Sequence, residues 1–142
     1  MRNFKLMTLA VAFAVLTVLS GCATTGGGQS DEESVAATVA AYTTAMEANN
    51  LEQMMAQVSE DFEGQDGIGK AELSDFLENA IDMGYLEGAT LSNEDAETTI
   101  EGDTASIMGL YLEGDMGAMT LDMDLKKEAD GTWRIVSMDA QS

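Results

Sequence analysis

The sequence predicts an α+β domain in which helices come first and an antiparallel meander of strands follows, behind an N-terminal leader. Three observations predict it. Between Ser30 and Met83 apolar residues recur three and four apart, the period of an amphipathic helix. After Gly84 the period falls to two, with glycine-bearing turns between the runs. Ahead of both, Arg2 and Lys5 precede an almost wholly apolar run, Leu6–Leu19, which ends in small residues before the one cysteine, Cys22. That is the layout of a secretory signal peptide.

The apolar run is about 14 residues, short of the ~20 that a bilayer-spanning helix needs. Its ending, Leu19-Ser20-Gly21-Cys22, resembles the lipobox of bacterial lipoproteins. The resemblance implies a cut before Cys22, a diacylglycerol on the Cys22 sulfur and an acylated new amine. It makes the membrane, through that lipid anchor, the first expected partner. Ala23 stands where inner-membrane members carry aspartate, so the expectation is a cell-envelope protein on the outer membrane, facing the periplasm, in a Gram-negative cell. The chain then divides into a cleaved leader (1–21), a lipidated cysteine with a tether (22–30) and a domain (31–142). Residues 23–30, ATTGGGQS, form a flexible coil with an r.m.s. reach of roughly 15 Å.

Composition narrows the chemistry. Processing leaves 121 of the 142 residues, enough for one compact domain. Arg2 and Lys5 leave with the leader, so four basic residues face all 26 acidic ones, a side-chain charge of −22. Such a surface repels nucleic acid and anionic head groups. With one cysteine there is no internal disulfide, and with no histidine there is no Ser-His or Cys-His catalysis and no usual transition-metal site. No cofactor or metal is expected. Any chemistry falls to carboxylates, tyrosine, lysine or hydroxyls.

The first helix opens at Ser30-Asp31-Glu32-Glu33, a capping-box pattern with acids in the first turn. It runs to about Ala48, with Val35, Val39, Tyr42 and Met46 as its stripe. Asn49-Asn50 breaks it, and a second helix carries Leu51, Met54, Met55 and Val58 to near Phe62. Residues 63–69, EGQDGIG, read as a loop. A third helix spans about Lys70–Met83, with Leu73, Phe76, Leu77, Ala80 and Ile81 at helical spacing. Thr90–Thr99 reads as one weak edge strand. Thr104–Glu113 reads as apolar on both faces, Met119–Lys126 alternates cleanly, and Trp133–Met138 closes the sheet.

These segments together, "AYTTAMEANNLEQMMAQVSEDF", "GKAELSDFLENA" and "DGTWRIVSMDA" behind an N-terminal helix, resemble the nuclear transport factor 2-like superfamily, which includes ketosteroid isomerases and polyketide cyclases. The resemblance covers about Asp31–Ala140. It implies N-terminal helices packed in a curved antiparallel sheet, a cone whose open end holds a small apolar ligand, and dimerisation through the outer sheet face. On this reading Tyr42, Met46, Met123 and Trp133 line the pocket.

Aligned without gaps on the isomerases, Tyr42 falls on the tyrosine that donates to the developing oxyanion and Asp66 on the proton-shuttling base. A phenol and a carboxylate can isomerise a carbonyl compound without a metal. The third member, a protonated acid, has no good counterpart. Asp122 and Asp124 share the polar face opposite Met119, Leu121, Met123 and Leu125. The plainer reading makes Tyr42 a core residue and Asp66 a solvated one. A third expectation is calcium: Asp61, Glu63, Gln65 and Glu72 have EF-hand spacing, although the glycine of the sharp turn, Gly67, comes one residue late. The leading expectation is a non-catalytic, lipid-anchored domain that binds a small apolar ligand or a protein. A metal-free isomerase or cyclase and a calcium-binding envelope protein are the alternatives.

Overall fold

The computed structural model describes residues 29–141; the leader, Cys22 and the tether up to residue 28 lie outside them, as does residue 142. Helix α1 (Asp31–Glu47) opens with the capping box that its sequence spells. The Ser30 hydroxyl accepts from the Glu33 amide at 3.2 Å, and the Glu33 carboxylate accepts from the Ser30 amide at 3.1 Å. Two otherwise unpaired amides are thereby satisfied. Asn50, whose side chain accepts from Gln53 N, starts α2 (Leu51–Ala56). This helix stops six residues before the expected Phe62. Its continuation, 57–63, instead runs beside the last strand, where Ser59 N donates to Ile135 O at 2.8 Å and Glu63 N to Val136 O at 2.9 Å. Edge pairing there satisfies the backbone in place of helix and covers an exposed strand edge. A 3-10 turn at Gln65–Gly67 leads to α3 (Lys70–Asp82).

The sheet is antiparallel. Its strands are β1 (Thr90–Ser92), β2 (Glu97–Glu101), β3 (Thr104–Gly114), β4 (Gly117–Lys127) and β5 (Trp133–Gln141). Strands β3, β4 and β5 follow as a meander, and β1 and β2 both pair with β3. Strand β1 takes the Tyr111–Glu113 half of β3 and β2 the Thr104–Met108 half, so the expected single strand Thr90–Thr99 is in fact a split edge.

The two-faced apolar pattern of β3 has a local cause. The β3–β4 register shifts between Ile107 and Leu110, where Gly109 adopts φ +86° and donates its amide to Asp122 Oδ1 at 2.9 Å. One bulge resets the alternation. Ala105 and Ile107 face inward before it and Leu110 and Leu112 after it, leaving Met108 and Tyr111 on the outer face.

Helix α1 lies on the inner face. Val35, Val39, Tyr42 and Met46 pack into one core with Met54, Val58, Leu110, Met123, Leu125, Trp133 and Ile135. Thr38, buried on the same helix, donates its hydroxyl to the Trp133 carbonyl at 3.0 Å. Among the described residues no helix is long and apolar enough to cross a membrane.

Candidate functional site

Tyr42 sits on the fourth turn of α1, 3 % exposed within the core. Burial alone pushes its phenol up to about 12, with no charge or hydrogen bond contributing. Met46, Met123 and Trp133 belong to the same packed cluster and are as deeply buried. The structure therefore brings together the four residues expected as pocket wall, but as filled core. Long, flexible methionines close the space an open cone leaves.

Asp66 lies elsewhere. Glu63 bridges Gly69, and Gly64 N donates to Ile68 O at 2.8 Å, so the loop closes on itself and holds Asp66 exposed at its tip with φ +62°. It does not join the cluster that holds Tyr42. The calcium pattern also comes apart. The short bridge leaves no twelve-residue cradle, Asp61, Glu63 and Glu72 are each exposed, and among the described residues no three acids gather closely enough to hold a metal ion. Asp122 and Asp124 belong to the outward set of β4, opposite the buried Met123 and Leu125. Asp122 caps the bulge and accepts from Gln141 Nε2 at 3.4 Å.

An opening toward the core lies at its edge. A cavity of about 330 Å³ lies between the first half of α1 and strand β2. Its floor is Val35, Val39, Ile100 and Ile107, and its rim is Glu32, Ala36, Asn93 and Thr98. The volume is at the small end of ligand sites, about 300–1,000 Å³, and the lining has their composition, apolar below with a few polar groups around. The helical stripe places Val35 and Val39, while the inward set of β2 and β3, with Thr98 opposite Ile107 and Ile100 opposite Ala105, places the rest. Asn93 enters from the link between β1 and β2. Sequence reading missed it because that link looked like continuous strand; the polar Ser92-Asn93-Glu94-Asp95 run was the available signal. A second hollow, about 390 Å³, lies against Thr99, Thr104, Ser106 and Asp124, with Ala105, Leu125 and Val136 making the apolar part of its wall.

By sequence, no family model and no curated protein matches the chain. By structure, it is similar to a protein of unknown function with a cystatin-like fold from Nostoc punctiforme, with a TM-score of 0.63 and 18 % identity over 78 % of this chain and 89 % of that one. A nuclear transport factor 2-like protein of unknown function from Pseudomonas putida superposes with a TM-score of 0.65 at 13 % identity, over 81 % and 89 % of the two chains. A candidate ketosteroid isomerase from Shewanella frigidimarina gives 0.60 at 20 % identity, over 76 % and 94 %. At these identities the likeness is one of fold: helices followed by an open antiparallel sheet, the nuclear transport factor 2-like, cystatin-like arrangement.

Proposed function

We propose that the processed chain is a lipid-anchored envelope protein, held through Cys22, whose domain carries a small apolar ligand in the α1–β2 cavity without transforming it. The observation that carries this reading is the cavity itself, with Val35, Val39, Ile100 and Ile107 below a rim of Glu32, Asn93 and Thr98. An apolar floor supplies affinity in proportion to the area it buries, and a sparse polar rim orients the ligand. Acid–base chemistry finds less support. The Tyr42 phenol is sealed in the core while Asp66 stands in solvent, so a substrate touching one is not placed against the other. The leader and lipobox support the location, on the periplasmic side of an outer membrane where the cell has one.

The test uses N-phenyl-1-naphthylamine, a neutral apolar fluorophore that the acidic surface does not repel. The protein enhances its fluorescence, and Ala36→Trp, which fills the cavity from its exposed rim, abolishes the enhancement without lowering the melting temperature. Equal binding by Ala36→Trp rules the cavity out.

A further inference from the structure

The domain is electrically and chemically polar from end to end. The first turn of α1, into which the tether runs, is fastened to Lys127 at the end of β4. Strand β4 then runs from Lys127 back to Gly117, ten residue steps or roughly 33 Å, so the β3–β4 turn lies at the opposite end of that strand from the first turn of α1. Of the four basic residues kept after processing, Lys126, Lys127 and Arg134 sit at the tether end. Lys70 opens α3 and is paired with Glu60, roughly 18 Å from the C-terminal end of that helix. None lies at the far end.

That end carries apolar side chains in the open. Met83, Tyr85, Met116 and Met119 are between 42 % and 69 % exposed. They converge through the backbone: the Tyr85 carbonyl lies beside Gly114, where an added Cβ would stand 3.9 Å away, Gly114 pairs with Gly117, and Met119 pairs with Leu112. Phe76, seven residues before Met83 and also exposed, extends the patch along the same flank of α3. Its charged neighbours are all acidic, Asp82, Glu87, Glu113 and Asp115.

We propose that this far end is a docking surface for a basic amphipathic segment of a partner protein. Methionine side chains adapt to varied apolar faces, aromatic side chains anchor them, and a carboxylate rim selects a segment whose polar face is lysine or arginine. The same rim repels a second copy of this chain. The surface shares no residue with the α1–β2 cavity and does not depend on it.

The test measures binding of a Leu/Lys peptide of roughly 18 residues, about five helical turns, with leucines at amphipathic spacing, against a scramble of equal composition. The scramble is needed because any cationic peptide is drawn to so acidic a protein. The amphipathic peptide binds about tenfold tighter than the scramble or more, and Tyr85→Gln with Met116→Gln removes that preference. Glu87→Lys with Asp115→Lys, at exposed positions, weakens binding independently. Met108→Gln, on the outer sheet face, and Ala36→Trp, in the cavity, leave the preference intact. The proposal is overturned if wild type shows no preference, if the far-end variants keep it, if Met108→Gln removes it equally, or if phosphatidylcholine vesicles rather than the peptide engage Tyr85 and Met116.

Discussion

Lys127 Nζ stands 2.8 Å from Asp31 Oδ1, and the same oxygen accepts from Trp133 Nε1 at 3.3 Å. One carboxylate in the first turn of α1 thus joins the end of β4 to the start of β5. Asp31 also lies where the helix dipole favours negative charge. The contact ties the first turn of α1 to that end of the sheet.

This pair gives a pH signature. Hydrogen bonds from Lys127 and then Trp133, with the nearby ammonium, hold the Asp31 carboxyl below the usual carboxylate range. Its contribution to stability is complete above the unfolded value of about 3.9 and is lost as pH falls through the lowered folded value. Lys127 is shifted upward by the same partner, so its contribution is complete below about 10.4 and is lost as pH rises through the raised folded value. Asp31→Asn therefore lowers the melting temperature at pH 7, and the gap from wild type narrows in acid. Melting curves across pH check this, and a gap that stays constant to pH 2 disproves it.

Tyr42 gives a second alkaline signature. Burial holds its phenol near 12, whereas the unfolded chain ionises near 10, so stability falls as pH rises between those values. The loss approaches 2–3 kcal/mol by pH 12, since each unit is worth about 1.4 kcal/mol. Tyr42→Phe removes that alkaline loss and costs about 1 kcal/mol or less at neutral pH. Ultraviolet difference titration of the wild type against Tyr42→Phe then places the Tyr42 transition near pH 12. A Tyr42 transition near pH 10 is the contrary result.

Gly109 and Asp122 hold the β3 bulge as a pair. An alanine Cβ at Gly109 meets only ordinary contacts, the nearest being Asp95 O at 3.8 Å, so the cost of Gly109→Ala lies in the backbone at φ +86°. That cost is about 1–2 kcal/mol. Asp122→Ala withdraws the acceptor from the Gly109 amide and costs about 1 kcal/mol. In the double variant the two effects sum to less than their separate values, because both act on one bulge. Denaturant melts of the three variants measure it; strict additivity counts against a shared role.

Anchoring makes a separate prediction. Labelled fatty acid is incorporated into the wild-type protein and not into Cys22→Ser, which keeps its leader. A processed Cys22→Ser protein that still carries label overturns the lipoprotein assignment.

What local chemistry dictates was legible in the amino-acid order. The Ser30–Glu33 capping box, the stripe of Val35, Val39, Tyr42 and Met46, and the alternation of Met119 to Lys126 each depend on neighbours a few residues away, and each appears where its pattern puts it. The α+β class follows from them. Which faces remain open does not. The bulge at Gly109, the split between β1 and β2, and the return of 57–63 along β5 depend on hydrogen bonds between segments far apart in the chain. A shift of one residue in such pairing turns side chains to the other face. Tertiary packing thus filled the space around Tyr42, Met123 and Trp133, left Asp66 in solvent, and opened the cavity beside Asn93 instead. Local periodicity tells which side chains can be buried, but pairing between distant strands decides which of them meet.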